Sequence, residues 1–152
     1  MDGWEAGGYE GGVSTPAPKV VVFLHSGEYD RVHQGLAIAA AAVASGRRAE
    51  VYLFWWALER FLQGRLDEPD FTPPREDVVD RFETRRLPTL RTLLEHLRES
   101  GLGTVHGCTG SLGALGAEPQ ADSLTGKGPV DGWVGWSAIL QRTAGVVDRF
   151  YL

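Results

Sequence analysis

The chain has 152 residues, 43% apolar and 23% charged, which is enough to enclose one core and is the composition of neither a disordered nor a fibrous protein. Its net charge of −5 argues against nucleic acid as a partner, because phosphate contacts need Lys and Arg gathered on one surface. The Arg81, Arg85, Arg86 and Arg91 group is diluted by Asp77, Asp80 and Glu83 and reads as a solvated face. A single cysteine, Cys108, rules out an intrachain disulfide framework and a multi-cysteine zinc site and fits a reducing compartment. No apolar run reaches membrane-spanning length, and the start lacks the basic and apolar pattern of a secretory signal, so the expected location is the cytoplasm.

Residues 1–18 are rich in Gly and end in Pro16 and Pro18, a composition expected to form a flexible tail ahead of one domain over 19–152. Lys19 to Leu24 is a continuous β-branched apolar run, as in a strand covered on both faces. After the turn His25 to Asp30, an Ala-rich helix is expected from about Arg31 to Ser45, with Asp30 as its cap and Gly46 closing it. That helix is apolar around most of its circumference, which calls for cover by the sheet and its neighbours or by another subunit. Glu50 to Trp56 reads as a second strand, and Ala57 to Leu62 as a short helix stopped by Gly64.

From Gln63 to Leu87 the pattern loosens around Pro69, Pro73 and Pro74, with a helix over Arg75 to Phe82 striped by Val78, Val79 and Phe82. Long irregular segments inside compact domains often serve as lids or binding loops. Pro88 suits a first helical position, followed by Leu90, Leu93, Leu94 and Leu97 at helical spacing. Leu102 to Gly107 is a third strand, Ser111 to Leu115 a short helix and Ala117 to Gly128 a polar loop. Pro129 to Val134 is a fourth strand, Ser137 to Ala144 a helix capped by Ser137, and Val146 to Leu152 a fifth strand. Strands alternating with helices predict a three-layer α/β/α domain around a mostly parallel five-stranded sheet.

In such a sheet, ligands gather beyond the carboxyl ends of the strands. That edge collects His25, Ser26 and Gly27, then Trp55 and Trp56, then His106 and Cys108, and last Trp136 and Ser137. Two readings of Cys108 stay open locally. At a helix start, amide N–H groups favour the thiolate and make a nucleophile; in a packed core, the same residue is a small buried hydrophobe. His25 and His106 are either acid–base groups or strand-end residues satisfying a loop carbonyl. Adjacent Trp55 and Trp56 face opposite ways on a strand, so one lines a pocket and the other packs. Ser26 and Gly27 either present amides to an anion or form the turn. The Gly101-Leu102-Gly103 and Gly126-Lys127-Gly128 stretches fail the spacing of dinucleotide and phosphate loops. Gly135-Trp136-Ser137-Ala138-Ile139 lacks the closing glycine of a nucleophile elbow. No spacing of carboxylates and histidines calls for a metal, and no cofactor is implied.

The segments Lys-Val-Val-Val-Phe-Leu-His-Ser-Gly-Glu-Tyr-Asp at 19–30, Glu-Val-Tyr-Leu-Phe-Trp-Trp at 50–56, Val-His-Gly-Cys at 105–108 and Asp-Gly-Trp-Val-Gly-Trp at 131–136 resemble the DsrE/DsrF-like superfamily of small sulfur-metabolism proteins. The likeness lies in order, spacing and texture, and covers most of the chain after Lys19. It implies a five-stranded parallel sheet, homo-oligomeric assembly and, as in relay members, a cysteine after the third strand that carries sulfur as a persulfide between a donor and an acceptor protein. Cys108 matches that position, with His106 or helix amides settling its anion. The 63–87 segment and the Gly-rich start exceed what a minimal carrier needs.

Overall fold

The computed structural model describes residues 17–117 and 128–152; the expected tail falls almost entirely outside them, as does most of the 117–128 loop. The described residues form an α/β domain with an all-parallel sheet of five strands: β1 (Val20–Leu24), β2 (Ala49–Leu53), β3 (Gly103–Cys108), β4 (Gly132–Val134) and β5 (Asp148–Tyr151). Between them run α1 (Tyr29–Ala44), α2 (Trp55–Leu62), α3 (Glu76–Thr84), α4 (Leu90–Glu99), α5 (Thr109–Leu115) and α6 (Trp136–Arg142). The sheet order is β4-β3-β2-β1-β5.

This order makes the two faces unequal. From β1 to β4 the chain steps in one direction across the sheet, and right-handed crossovers then place every connecting helix on the same face. The step from β4 to β5 runs back past β1, so its helix, α6, goes to the other face. The burial pattern agrees. Val20, Val22, Leu24, Val51, Leu53 and Val105 pack with α1, α2 and α4, where Leu36, Leu58, Leu90 and Leu97 are fully buried. Each such leucine contributes about 1.5–3 kcal/mol relative to exposure. On the opposite face Val21, Phe23, Tyr52, Phe54, Cys108 and Val134 have only Ile139 of α6 among the buried residues of their cluster.

Local chemistry explains where the elements differ from expectation. Helix α1 starts at Tyr29 with Glu28 at its N-cap, and Asp30 lies inside the first turn, where its carboxylate still complements the helix dipole. Gly46 takes φ 77°, and Ser45 closes the helix. Helix α4 is capped by Thr89, whose hydroxyl accepts from the Thr92 amide at 3.3 Å, leaving Pro88 just outside it. Its four leucines are buried as the spacing demands. Strand β3 runs on to Cys108, while β4 holds three residues. Gly135, not Ser137, is the N-cap of α6, and Ser137 is exposed within its first turn. Trp55 and Trp56 belong to the first turn of α2, so strand alternation does not govern them.

The 63–87 segment is pinned by buried Arg60. Its Nε donates to the Gly27 carbonyl at 2.6 Å, and one terminal nitrogen donates to the Arg65 carbonyl at 3.0 Å and to Asp70 at 2.7 Å. Helix α3 buries no residue fully; it rests through Phe82, edge-on to Tyr29 and His33.

Candidate functional site

The thinly covered face carries a row of rings. Parallel register aligns Tyr151 with Phe23, Phe23 with Tyr52 and Tyr52 with His106. Successive ring centroids lie 4.7, 5.6 and 5.4 Å apart, and all three pairs are stacked. The row ends at Gly132, where a side chain would crowd His106 Nδ1 at 3.2 Å. Toward the carboxyl ends a second tier adds Phe54, stacked on Trp136 at 5.0 Å, and Cys108.

These tiers frame a cavity of about 590 Å³ at the carboxyl edge of the sheet. Phe23, Phe54, Trp55, Trp136 and Tyr151 give it five aromatic walls; Cys108, Gly110 and Ser111 close the side toward α5, and His25 and Leu152 the side toward β1 and β5. Among the described residues no Asp, Glu, Lys or Arg side chain lines it. Trp55 holds φ 43°, a left-handed backbone that a bulky residue adopts at a cost of about 1–2 kcal/mol. That strain sits where the chain leaves β2 and places an indole on the cavity wall.

Of the residues expected at this edge, the cavity therefore unites His25, Trp55, Cys108 and Trp136. Ser26 and Gly27 turn to the helix-rich side and line a separate polar cleft of about 320 Å³ with Trp56, Arg60 and Asp70. There the Ser26 hydroxyl accepts from the Glu28 amide at 3.2 Å, and a side chain on Gly27 would strike the Trp56 carbonyl at 2.7 Å, so both residues make the turn. Ser137 joins neither site.

Cys108 is the last residue of β3 and the N-cap of α5; it is 5% exposed and makes no capping hydrogen bond. A methyl group on Gly110 would lie 3.8 Å from its sulfur, so the first turn of α5 runs beside it. His106 shares the strand face with Cys108 but stands two residues back, over Tyr52. Its Nε2 meets the Thr104 hydroxyl at 3.1 Å and the Arg142 guanidinium at 3.4 Å, while Nδ1 is buried without a partner. Burial first, and then the Arg142 charge, push its pKa below the ordinary value, which disfavours an imidazolium cation beside a thiolate. Burial, reinforced by the 2.5 Å hydrogen bond it donates to Glu50, likewise pushes the Tyr52 hydroxyl up.

Phe23, Tyr151 and Ser111 are site residues that the sequence pattern did not single out. Phe23 is hidden inside an unbroken apolar strand, and Tyr151 reaches the site only because β5 pairs with β1. Ser111 carried one readable signal, since it follows Cys108 by three positions at the start of a helix, and such positions share a face.

Neither the protein-family models nor the curated proteins contain a match to this chain. Among the described residues no helix is long and apolar enough to cross a membrane, and no group of three or more His, Cys, Asp or Glu is placed to hold a metal ion.

Proposed function

We propose that this protein binds a compact, flat and largely apolar small molecule in the aromatic cavity, with Cys108 forming part of the wall. The observation that carries the reading is the cavity itself. Its volume of about 590 Å³ falls within the ordinary range for small-ligand sites, and it lies at the carboxyl edge of a parallel sheet. Flat rings can stack on Phe54 and Trp136, whose planes differ by 17°. Trp136 is 53% exposed, and cover by a ligand removes that apolar surface from water. Titration calorimetry with naphthalene tests this. Saturable one-to-one binding with a negative heat-capacity change is expected, weakened about tenfold or more in Trp136→Ala. A flat titration up to the solubility limit contradicts it.

A second reading is favoured by one observation, that the Cys108 residue borders this cavity at the end of the third strand. In that reading the DsrE/DsrF-like resemblance extends to chemistry: within a homo-oligomer the Cys108 thiolate attacks the outer sulfur of a donor persulfide, the donor's S–S bond breaks and its thiolate leaves, and an acceptor thiolate then attacks the outer sulfur of Cys108-S-SH and releases the Cys108 thiolate. The 5% exposure, the apolar cluster around the residue and the lowered pKa of His106 weigh against it. Intact-mass measurement after incubation with a persulfide donor separates the two. A gain of one sulfur that vanishes in Cys108→Ser supports the carrier, and an unchanged mass supports the ligand pocket.

A further inference from the structure

We infer that Ser111 is the polar anchor of this cavity, and that the ligand is a neutral flat aromatic molecule carrying one hydroxyl or carbonyl oxygen. The inference rests on the ligand-binding reading and names the class of ligand within it. Ser111 is 4% exposed and stands in the first turn of α5, three residues after Cys108. Both residues line the same cavity.

The Ser111 hydroxyl has no hydrogen-bond partner among the described residues. Among the described residues the buried side-chain atoms left without a partner are Tyr29 Oη and His106 Nδ1; the Ser111 hydroxyl is not one of them and retains access, and Ser111 lines the cavity. A serine on a helix can turn its hydroxyl back to a carbonyl four residues earlier, as Ser45 at the end of α1 does to Ala41 at 2.9 Å. Ser111 does not. A hydroxyl without a protein partner beside the cavity is left to water or a ligand, and a ligand oxygen in that space takes the hydrogen bond that water otherwise supplies.

The remaining walls fix the rest of the ligand. Five rings favour a flat aromatic body. The absence of Asp, Glu, Lys and Arg from the described lining favours a neutral molecule, because an ionised group would lose its hydration without gaining a full counter-charge. Ser111, the buried hydroxyl in the lining without a protein partner, calls for a ligand oxygen, which a serine serves either as donor or as acceptor.

The test pairs 2-naphthol with 2-methylnaphthalene, which share shape and differ in the hydrogen-bonding group, on the wild-type chain and on Ser111→Ala. Alanine is the better helix former, so α5 is retained, and the far-ultraviolet dichroism of the variant checks this. The wild type is expected to bind 2-naphthol about tenfold more tightly than 2-methylnaphthalene, and Ser111→Ala to bind the two probes with equal affinity. Equal binding of both probes by both proteins overturns the anchor and leaves the cavity standing. Binding of neither probe by either protein overturns the cavity reading as well. A preference for 2-naphthol that survives in Ser111→Ala assigns the anchor to another residue and overturns the inference.

Discussion

Replacing Phe23 by Leu isolates the energetic contribution of the aromatic row. Phe23 is 6% exposed and is the ring on which the site converges, with Tyr151 at 4.7 Å, Tyr52 at 5.6 Å, Phe54 at 6.2 Å and Trp136 at 6.5 Å. Leu keeps most of the apolar burial and removes the stacking. Aromatic pairs contribute about 0.5–1.5 kcal/mol beyond burial, so loss of the two tightest pairs predicts destabilisation of about 2 kcal/mol. For a domain of this size that corresponds to a fall in Tm of roughly 4–8 °C. Urea unfolding followed by circular dichroism is the assay, and the midpoint should fall while the slope is unchanged. Phe150→Leu is the control. Phe150 pairs with Val22, faces the opposite side and is 39% exposed, so its change should stay within about 0.5 kcal/mol. If Phe23→Leu is as mild as the control, the row carries no stacking energy and the reasoning fails.

Two further outcomes follow from named residues. Trp55→Gly relieves a left-handed backbone at φ 43° while removing a cavity wall; stability by urea unfolding should stay within about 1 kcal/mol of wild type, whereas naphthalene affinity by calorimetry should fall about tenfold. A clear loss of stability with unchanged affinity would contradict the role given to that backbone. The second outcome concerns pH. His106 titrates lower in the folded chain than its ordinary value of 6.5, so below that value the unfolded chain binds the extra proton first. The stability tied to the neutral ring is present above about pH 6.5 and is lost as pH falls toward the folded value. Arg142 and Lys19 push in this direction, and Glu50 and Asp131 oppose it. His106→Phe, which keeps a ring over Tyr52, should show a shallower decline between pH 6.5 and 5 in urea midpoints; an identical decline would place the proton elsewhere.

The strands and their order along the chain were legible because the signals are local. Lys19 to Leu24 is too uniformly apolar for anything but a covered strand, and Leu90, Leu93, Leu94 and Leu97 repeat at a helical period that their burial bears out. Trp55 and Trp56 misled because aromatic residues favour strands, whereas pairing stops with Leu53 opposite Leu24 and Gly107. Ser26 and Gly27 misled for a topological reason. The chain leaves β1 toward the face that holds α1 and α2, so only His25 stays at the cavity. Which strands are neighbours is a long-range property, and with it went the contribution of Tyr151, which depends on β5 lying beside β1. The unequal cover of the two faces was hidden for the same reason. Ser111 carried only its spacing from Cys108 as a signal; that it lines the cavity depends on where α5 packs.

The proposed binding places flat apolar molecules in the cavity that Trp55 and Trp136 line. Proton–nitrogen correlation spectra of the indole groups during a naphthalene titration test it most directly. The account predicts that the Trp55 and Trp136 signals move together and saturate, while Trp133, which packs over Gly107 on the helix-rich face, stays in place. Movement of Trp133 alone, or of no indole at all, would contradict it.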